Sequence, residues 1–122
     1  MPNSRNTSTY LSEVEEAWLL ARKRLEYQFG GEIDIQAALF LIGVQELGKG
    51  NRKYSKDQKL EVIHIAICTL LEPYGYYTFE GLDVDGYPHW KLNEKLPPLS
   101  SGQQLALMKE AVVKYFMDNE LL

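Results

Sequence analysis

The sequence predicts a mainly α-helical protein with one β-hairpin, in the order three helices, hairpin, helix. Three observations carry this. Apolar residues recur at spacings of three and four through most of the chain. One stretch, "YYTFEGLDVDGYPHWKL", places Asp85-Gly86 between two extended runs, which is hairpin chemistry. Serines followed three residues later by glutamine mark two helix starts. The length of 122 residues suits one domain, expected over residues 9–122, with residues 1–8 a disordered tail.

The first helix is read from "TYLSEVEEAWLLARKRLEYQFGG". Leu11, Val14, Trp18, Ala21 and Leu25 fall on one face. Glu13, Glu15 and Glu16 precede Arg22, Lys23 and Arg24, the order that complements a helix dipole. Gly30 and Gly31 end it, since glycine enters the left-handed region at little cost. The second helix starts near Asp34, a good N-cap, and runs through "IQAALFLIGVQEL" to a stop at Gly48. It is apolar nearly all round, which predicts a central position, and Gly43 within it would permit a close helix contact.

Ser55 and Gln58 form a capping-box pattern that opens the third helix, "KDQKLEVIHIAICTLLEPYG". Leu60, Ile63, Ile67, Leu70 and Leu71 are its expected buried stripe, and Pro73 with Gly75 ends it. Val62, Ile63, Ile65 and Ile67 are β-branched and leave a strand reading open. The hairpin is expected at about residues 76–92, with Val84 paired to Tyr87 across a two-residue turn. That register sets Glu80 opposite Lys91, Gly81 opposite Trp90 and Phe79 opposite Leu92. Tyr77, Phe79, Trp90 and Leu92 then share one apolar face. "NEKLPPL" is a stiff connector. Ser100 or Ser101 caps the last helix, whose expected stripe is Leu105, Met108, Val112, Tyr115 and Phe116.

"GVQELGKG", from Gly43 to Gly50, imitates a phosphate-binding loop. Such a loop needs a preceding strand, a helix starting at the lysine, and serine or threonine after it to hold magnesium. Here that last position is Gly50, and Val44 to Leu47 are helix formers containing an acid, Glu46. Nucleotide hydrolysis is therefore set aside.

Other functions are narrowed in the same way. The net charge is −4, which gives no global pull toward nucleic acid or anionic membrane. The apolar runs are too short to span a bilayer and the N-terminus is polar, so no membrane partner is expected. The lone Cys68 excludes an internal disulfide and suits a reducing cytoplasm. Lys49, Arg52, Lys53, Lys56 and Lys59 surround the start of the third helix, offset only by Asp57. They could dock an anion, an acidic partner or a nucleic-acid backbone; a solvated loop is the plainer reading.

Glu61 and His64 make one Glu-x-x-His pair, but a di-iron bundle needs two, and the other histidine, His89, is in the hairpin. His64 and Cys68 are half of a zinc site with no second half. No metal or cofactor is expected, and a hydrogen-bonded boundary histidine is the plainer reading of His64. Glu61, His64, Tyr77, His89 and Trp90 could line a pocket; aromatic packing of the hairpin on the helices is the competing reading. Asp85 is explained by the turn, and Asp83 reads as surface.

The element order is that of a winged helix with an added C-terminal helix. The third helix, however, offers few polar side chains for base edges, and Glu80, Asp83 and Asp85 would face phosphates. Nucleic-acid binding is thus disfavoured. The stretches "FLIGVQELGKG", "HIAICTLLEPYGYY" and "DGYPHW" resemble a family of small bacterial proteins of unknown function, over Trp18 to Phe116. That resemblance implies no activity and assigns no residue a role. The expected function is a cytoplasmic interaction or self-associating adaptor domain without catalysis, hinted at by the basic loop and the amphipathic last helix. The alternatives are a winged-helix-like nucleic-acid binder and a small-ligand or enzyme site around Glu61, His64 and the aromatic hairpin.

Overall fold

Glycines and capping serines set the helix boundaries. In the computed structural model, which describes residues 7–48, 53–93 and 99–119, the elements are α1 (Thr7–Phe29), α2 (Ile35–Leu47), α3 (Lys56–Leu71), β1 (Tyr77–Leu82), β2 (Pro88–Leu92) and α4 (Ser101–Asp118). This is the predicted order of four helices with an antiparallel hairpin between α3 and α4. The chain sorts into two units, Met1–Asp34 with Leu99–Leu122, and Ile35–Pro98.

The first unit pairs α1 with α4. Helix α1 starts at Thr7, so Thr7 and Ser8 are helical; the rest of the expected tail lies outside the described residues. Gly30, at φ 71°, donates its N–H to Glu26 O and stops the helix as expected. Glu26 Oε2 also accepts from Ile33 N–H at 2.8 Å, fastening the chain after the turn. Val14, Trp18, Ala21 and Leu25 are buried, whereas Leu11 is exposed. No acidic residue of α1 falls in its first turn and no basic one in its last, so the expected match of charge to helix dipole is not made.

Helix α4 begins at Ser100, whose side chain and that of Gln103 satisfy each other's backbone N–H groups. It buries Ala106, Ala111, Val112 and Phe116, with Met108 and Tyr115 half-buried. Leu105, expected inside, is exposed, and the stripe is completed by small alanines that a search for large residues passes over. An ion pair of 2.6 Å between Lys109 and Glu15 joins the two helices.

The second unit is built on the crossing of α2 and α3. Ala38, Leu39, Ile42 and Gly43 are buried, and Phe40, Leu41 and Val44 are half-buried, so α2 is covered all round along its middle. Residues 38–42 are helical and the only sheet among the described residues is a two-stranded antiparallel one, which removes the strand that a phosphate loop requires. Gly43 is where the helices touch. A Cβ there would lie 2.1 Å from Val62 O and 2.6 Å from Val62 Cγ1.

That contact decides the buried face of α3. Val62, Ile65, Ala66, Cys68 and Leu70 are buried; of the predicted stripe only Leu70 is among them, since Leu60 is exposed and Ile63, Ile67 and Leu71 are only half-buried. Apolar residues occupy most of the circumference of α3, so spacing alone could not select the face that meets a bare glycine. The helix opens with the expected capping box: Ser55 N–H donates to Gln58 Oε1 at 2.8 Å and Gln58 N–H to Ser55 Oγ at 3.2 Å. Just before it, Tyr54 sets its ring edge-on to Phe40, with centroids 5.3 Å apart.

The Gly43→Ala variant is expected to lose about 1–3 kcal/mol of stability through overpacking, measured by chemical denaturation. Adding Val62→Ala is expected not to restore it, because the nearest obstruction is the backbone carbonyl oxygen. Unchanged stability of Gly43→Ala would contradict the crossing.

Candidate functional site

The hairpin is organised by one carboxylate. Asp83 Oδ1 accepts the N–H groups of Asp85 at 2.9 Å and Tyr87 at 3.0 Å. Asp83 O accepts Gly86 N–H at 3.0 Å, and Asp83 N–H donates to Tyr87 O at 2.9 Å. The loop is therefore three residues, Val84 to Gly86, closed by the Asp83–Tyr87 pair, with Gly86 at φ 84°. This corrects the predicted two-residue turn. A type I turn followed by a left-handed glycine serves the same Asp-Gly dipeptide, and the Asp83 side chain tips the choice.

The register moves with the turn. Tyr77 pairs with Leu92, Thr78 with Lys91, Phe79 with Trp90, Gly81 with His89 and Leu82 with Pro88. The expected pairings of Glu80 with Lys91, Gly81 with Trp90 and Phe79 with Leu92 are thus wrong. Glu80 is left over in a β-bulge, and Gly81 beside it takes φ 104°, where a side chain would be strained. The four apolar residues still stand as two facing pairs, with the Phe79 and Trp90 centroids 5.1 Å apart.

A cleft of about 610 Å³ lies against α3 and the hairpin. Glu61 and His64 reach it from α3; Asp83, Tyr87, His89 and Trp90 reach it from the hairpin; Leu60, Ile65 and Pro88 supply apolar wall. So four of the five residues singled out as a pocket, Glu61, His64, His89 and Trp90, come together. The fifth, Tyr77, does not line the cleft but stands edge-on to His64, with ring centroids 6.3 Å apart. Asp83 was the residue missed. The available signal was its spacing, two before Asp85 and four before Tyr87, which is that of an Asx turn.

The polar groups of the site differ in how they are held. His89 Nε2–H donates to Asp83 Oδ2 at 2.9 Å. That bond and the backbone N–H groups of Tyr87 and Asp85 hold the Asp83 carboxyl below its ordinary range. Glu61 is exposed and has no hydrogen bond or ion pair among the described residues. Trp90 Nε1–H is buried without an acceptor, a condition that ordinarily costs about 1–3 kcal/mol. Among the described residues no lysine or arginine lines the cleft.

His64, expected at the boundary of the core, is exposed, with Nε2 at 3.4 Å from Cys68 Sγ. Burial pushes the Cys68 thiol up to about 11, so it stays protonated at neutral pH and is a poor nucleophile. Burial also raises the Tyr77 hydroxyl, reinforced by the neighbouring thiol. Among the described residues no group of three or more His, Cys, Asp or Glu side chains could hold a metal ion. Nor is any helix among them long and apolar enough to cross a membrane.

Of the basic cluster, Lys53, Lys56 and Lys59 are exposed. Lys49 and Arg52 lie outside the described residues, as does Gly50 of the imitation phosphate loop. Comparison with protein-family models, with curated proteins and with solved structures gives no match to this chain.

Two outcomes are expected. A carboxyl whose folded pKa is depressed stabilises the fold above its unfolded value, and that contribution is lost as pH falls through the folded one. In an acid titration followed by NMR, the Asp85 and Tyr87 amide signals should therefore move together with a midpoint below that of an ordinary aspartate; a midpoint at or above it would contradict the turn. Cys68 should resist iodoacetamide in the folded protein and react on denaturation, and rapid native alkylation, read by mass spectrometry, would refute its burial.

Proposed function

We propose that this chain is a small interaction domain that associates with a second copy of itself through the hairpin. The observation that carries the reading is exposed apolar surface on a minimal sheet. Phe79 is 48% exposed, Leu92 53% and Leu82 66%, and Val84 at the tip is fully exposed. A two-stranded hairpin is marginal by itself, and a partner surface over such residues adds the burial it lacks. A second copy fits for two reasons. An identical apolar face is self-complementary about a two-fold axis. The same unit also carries exposed charges of both signs, Lys53 just before α3, Lys56 and Lys59 in its first turns, and Glu80 and Asp85 on the hairpin.

The amphipathic last helix has most of its apolar stripe buried or half-buried, leaving Leu105 and Met117 exposed. The hairpin therefore carries the proposal in its place. Catalysis finds little support, since the thiol is buried and protonated.

Sedimentation equilibrium is expected to show concentration-dependent dimerisation. The Leu82→Ser, Val84→Ser double variant is expected to weaken it about tenfold, the loss typical of a modest contact residue pair. Both side chains are well exposed, so far-ultraviolet circular dichroism should not change. A wild-type monomer at millimolar concentration would overturn the proposal.

A further inference from the structure

The cleft against α3 follows one edge of the hairpin. Pro88, His89 and Trp90 of β2 line it, and no residue of β1 does. His89 and Trp90 are neighbours in an extended strand, so their side chains leave opposite faces of the ribbon. A cleft that meets both runs along the outer edge of β2. Its far wall is α3, where Leu60 is 59% exposed.

That edge carries a regular row of hydrogen-bonding groups. At one end of the ribbon Asn93 N–H donates to Tyr76 O, and at the other Asp83 N–H donates to Tyr87 O. Inward and outward backbone groups alternate along an antiparallel strand. Counting along β2 from either end gives one answer: His89 and Lys91 face β1, while Pro88, Trp90 and Leu92 face outward. No third strand among the described residues pairs with them. The same count along β1 fails, because the bulge at Glu80 shifts its phase. A bulge blunts an edge against pairing, and β2 has none. Pro88 sits at an outward position, where its missing N–H breaks no ladder bond. The buried donor of this strand, Trp90 Nε1–H, also has no acceptor. A peptide backbone supplies the carbonyl and N–H groups that such an edge lacks.

We propose that the groove between β2 and α3 takes an extended segment of another protein, which adds to β2 as a third strand. At ordinary strand rise and spacing a residue fills roughly 160 Å³, so a cleft of about 610 Å³ takes about four residues. That is one short strand, and a second hairpin is two strands wide. Leu60 and Trp90 give the segment's side chains apolar contact. Glu61, beside Leu60 and without an ion pair among the described residues, complements a basic side chain on it. Self-association uses the apolar face of the ribbon and this contact uses its edge, so neither rests on the other.

The test is an NMR titration of the intact chain with the peptide acetyl-Thr-Val-Lys-Val-Thr-amide. The controls are the same peptide N-methylated at every residue and one with glutamate in place of its lysine. The lysine peptide is expected to shift the Trp90 and Leu92 backbone N–H signals saturably and to slow their hydrogen exchange. Tyr77 and Phe79, outward on β1, should be unchanged. The N-methylated peptide should bind at least tenfold more weakly. The glutamate peptide should bind about threefold more weakly, the size of one exposed ion pair, and Glu61→Gln should abolish that difference. The Leu82→Ser, Val84→Ser variant alters residues outside the lining and should bind the lysine peptide as the wild type does. No saturable shift with either unmethylated peptide, equal binding of the N-methylated one, or protection of Tyr77 and Phe79 in place of Trp90 and Leu92 would each overturn the proposal. Loss of binding in the Leu82→Ser, Val84→Ser variant would place the peptide on the face of the ribbon and overturn it as well.

Discussion

The absence of a side chain at Gly43 is the constraint on which the second unit rests. Val62 O and Cγ1 occupy the space a Cβ would need, so α2 and α3 approach until backbone meets backbone. Dispersion and burial gain from that closeness, because interiors are packed to crystal-like density. The same contact fixes the rotation of α3 about its axis. With Val62, Ile65 and Ala66 turned inward, Glu61 and His64 are left on the exposed flank that borders the cleft. One glycine in α2 thereby determines which chemistry α3 presents.

The hairpin completes the site by a different means. It has little core of its own, and α3 meets it along β1. Its geometry comes from polar bonds converging on Asp83, which shape the three-residue loop and orient His89. The bulge at Glu80 and Gly81 then brings Phe79 opposite Trp90. A further bond network, Asn93 Nδ2–H to Gly75 O at 3.0 Å and to Thr78 Oγ1 at 2.9 Å, ties the open end of the ribbon. The result is a ribbon held by directional bonds at both ends, with apolar side chains spread on its surface. In that division polar groups specify the shape, and apolar side chains stay exposed.

Local chemistry was legible in the sequence, and choices between equivalent faces were not. Gly30, Gly48, Ser55 and Ser100 act where their residue types foretold, because capping is decided within a few residues. In α1 the buried residues Val14, Trp18, Ala21 and Leu25 are legible from their spacing of three and four, whereas Leu11, in the same series, is exposed. Helix α3 was misread because Leu60, Ile63 and Ile67 make as good a stripe as Val62, Ile65 and Ala66, and only the partner's glycine distinguishes them. In α4, Ala106 and Ala111 bury without advertising themselves. The hairpin's existence was plain, yet its register turned on one side chain, Asp83, that competes for the same backbone groups as the turn. Glu61, His64, His89 and Trp90 were found by residue type; what joins them is the loop shape, which residue types alone left open.

The most direct test of this account is the proximity of Gly43 and Val62 in solution. Nuclear Overhauser effects from the Gly43 Hα protons should be strong to the Val62 methyl groups and absent to Ile63 and Ile67. Strong effects to Ile63 or Ile67, with none to Val62, would show α3 turned to its other apolar face and would contradict the placement of Glu61 and His64 beside the hairpin.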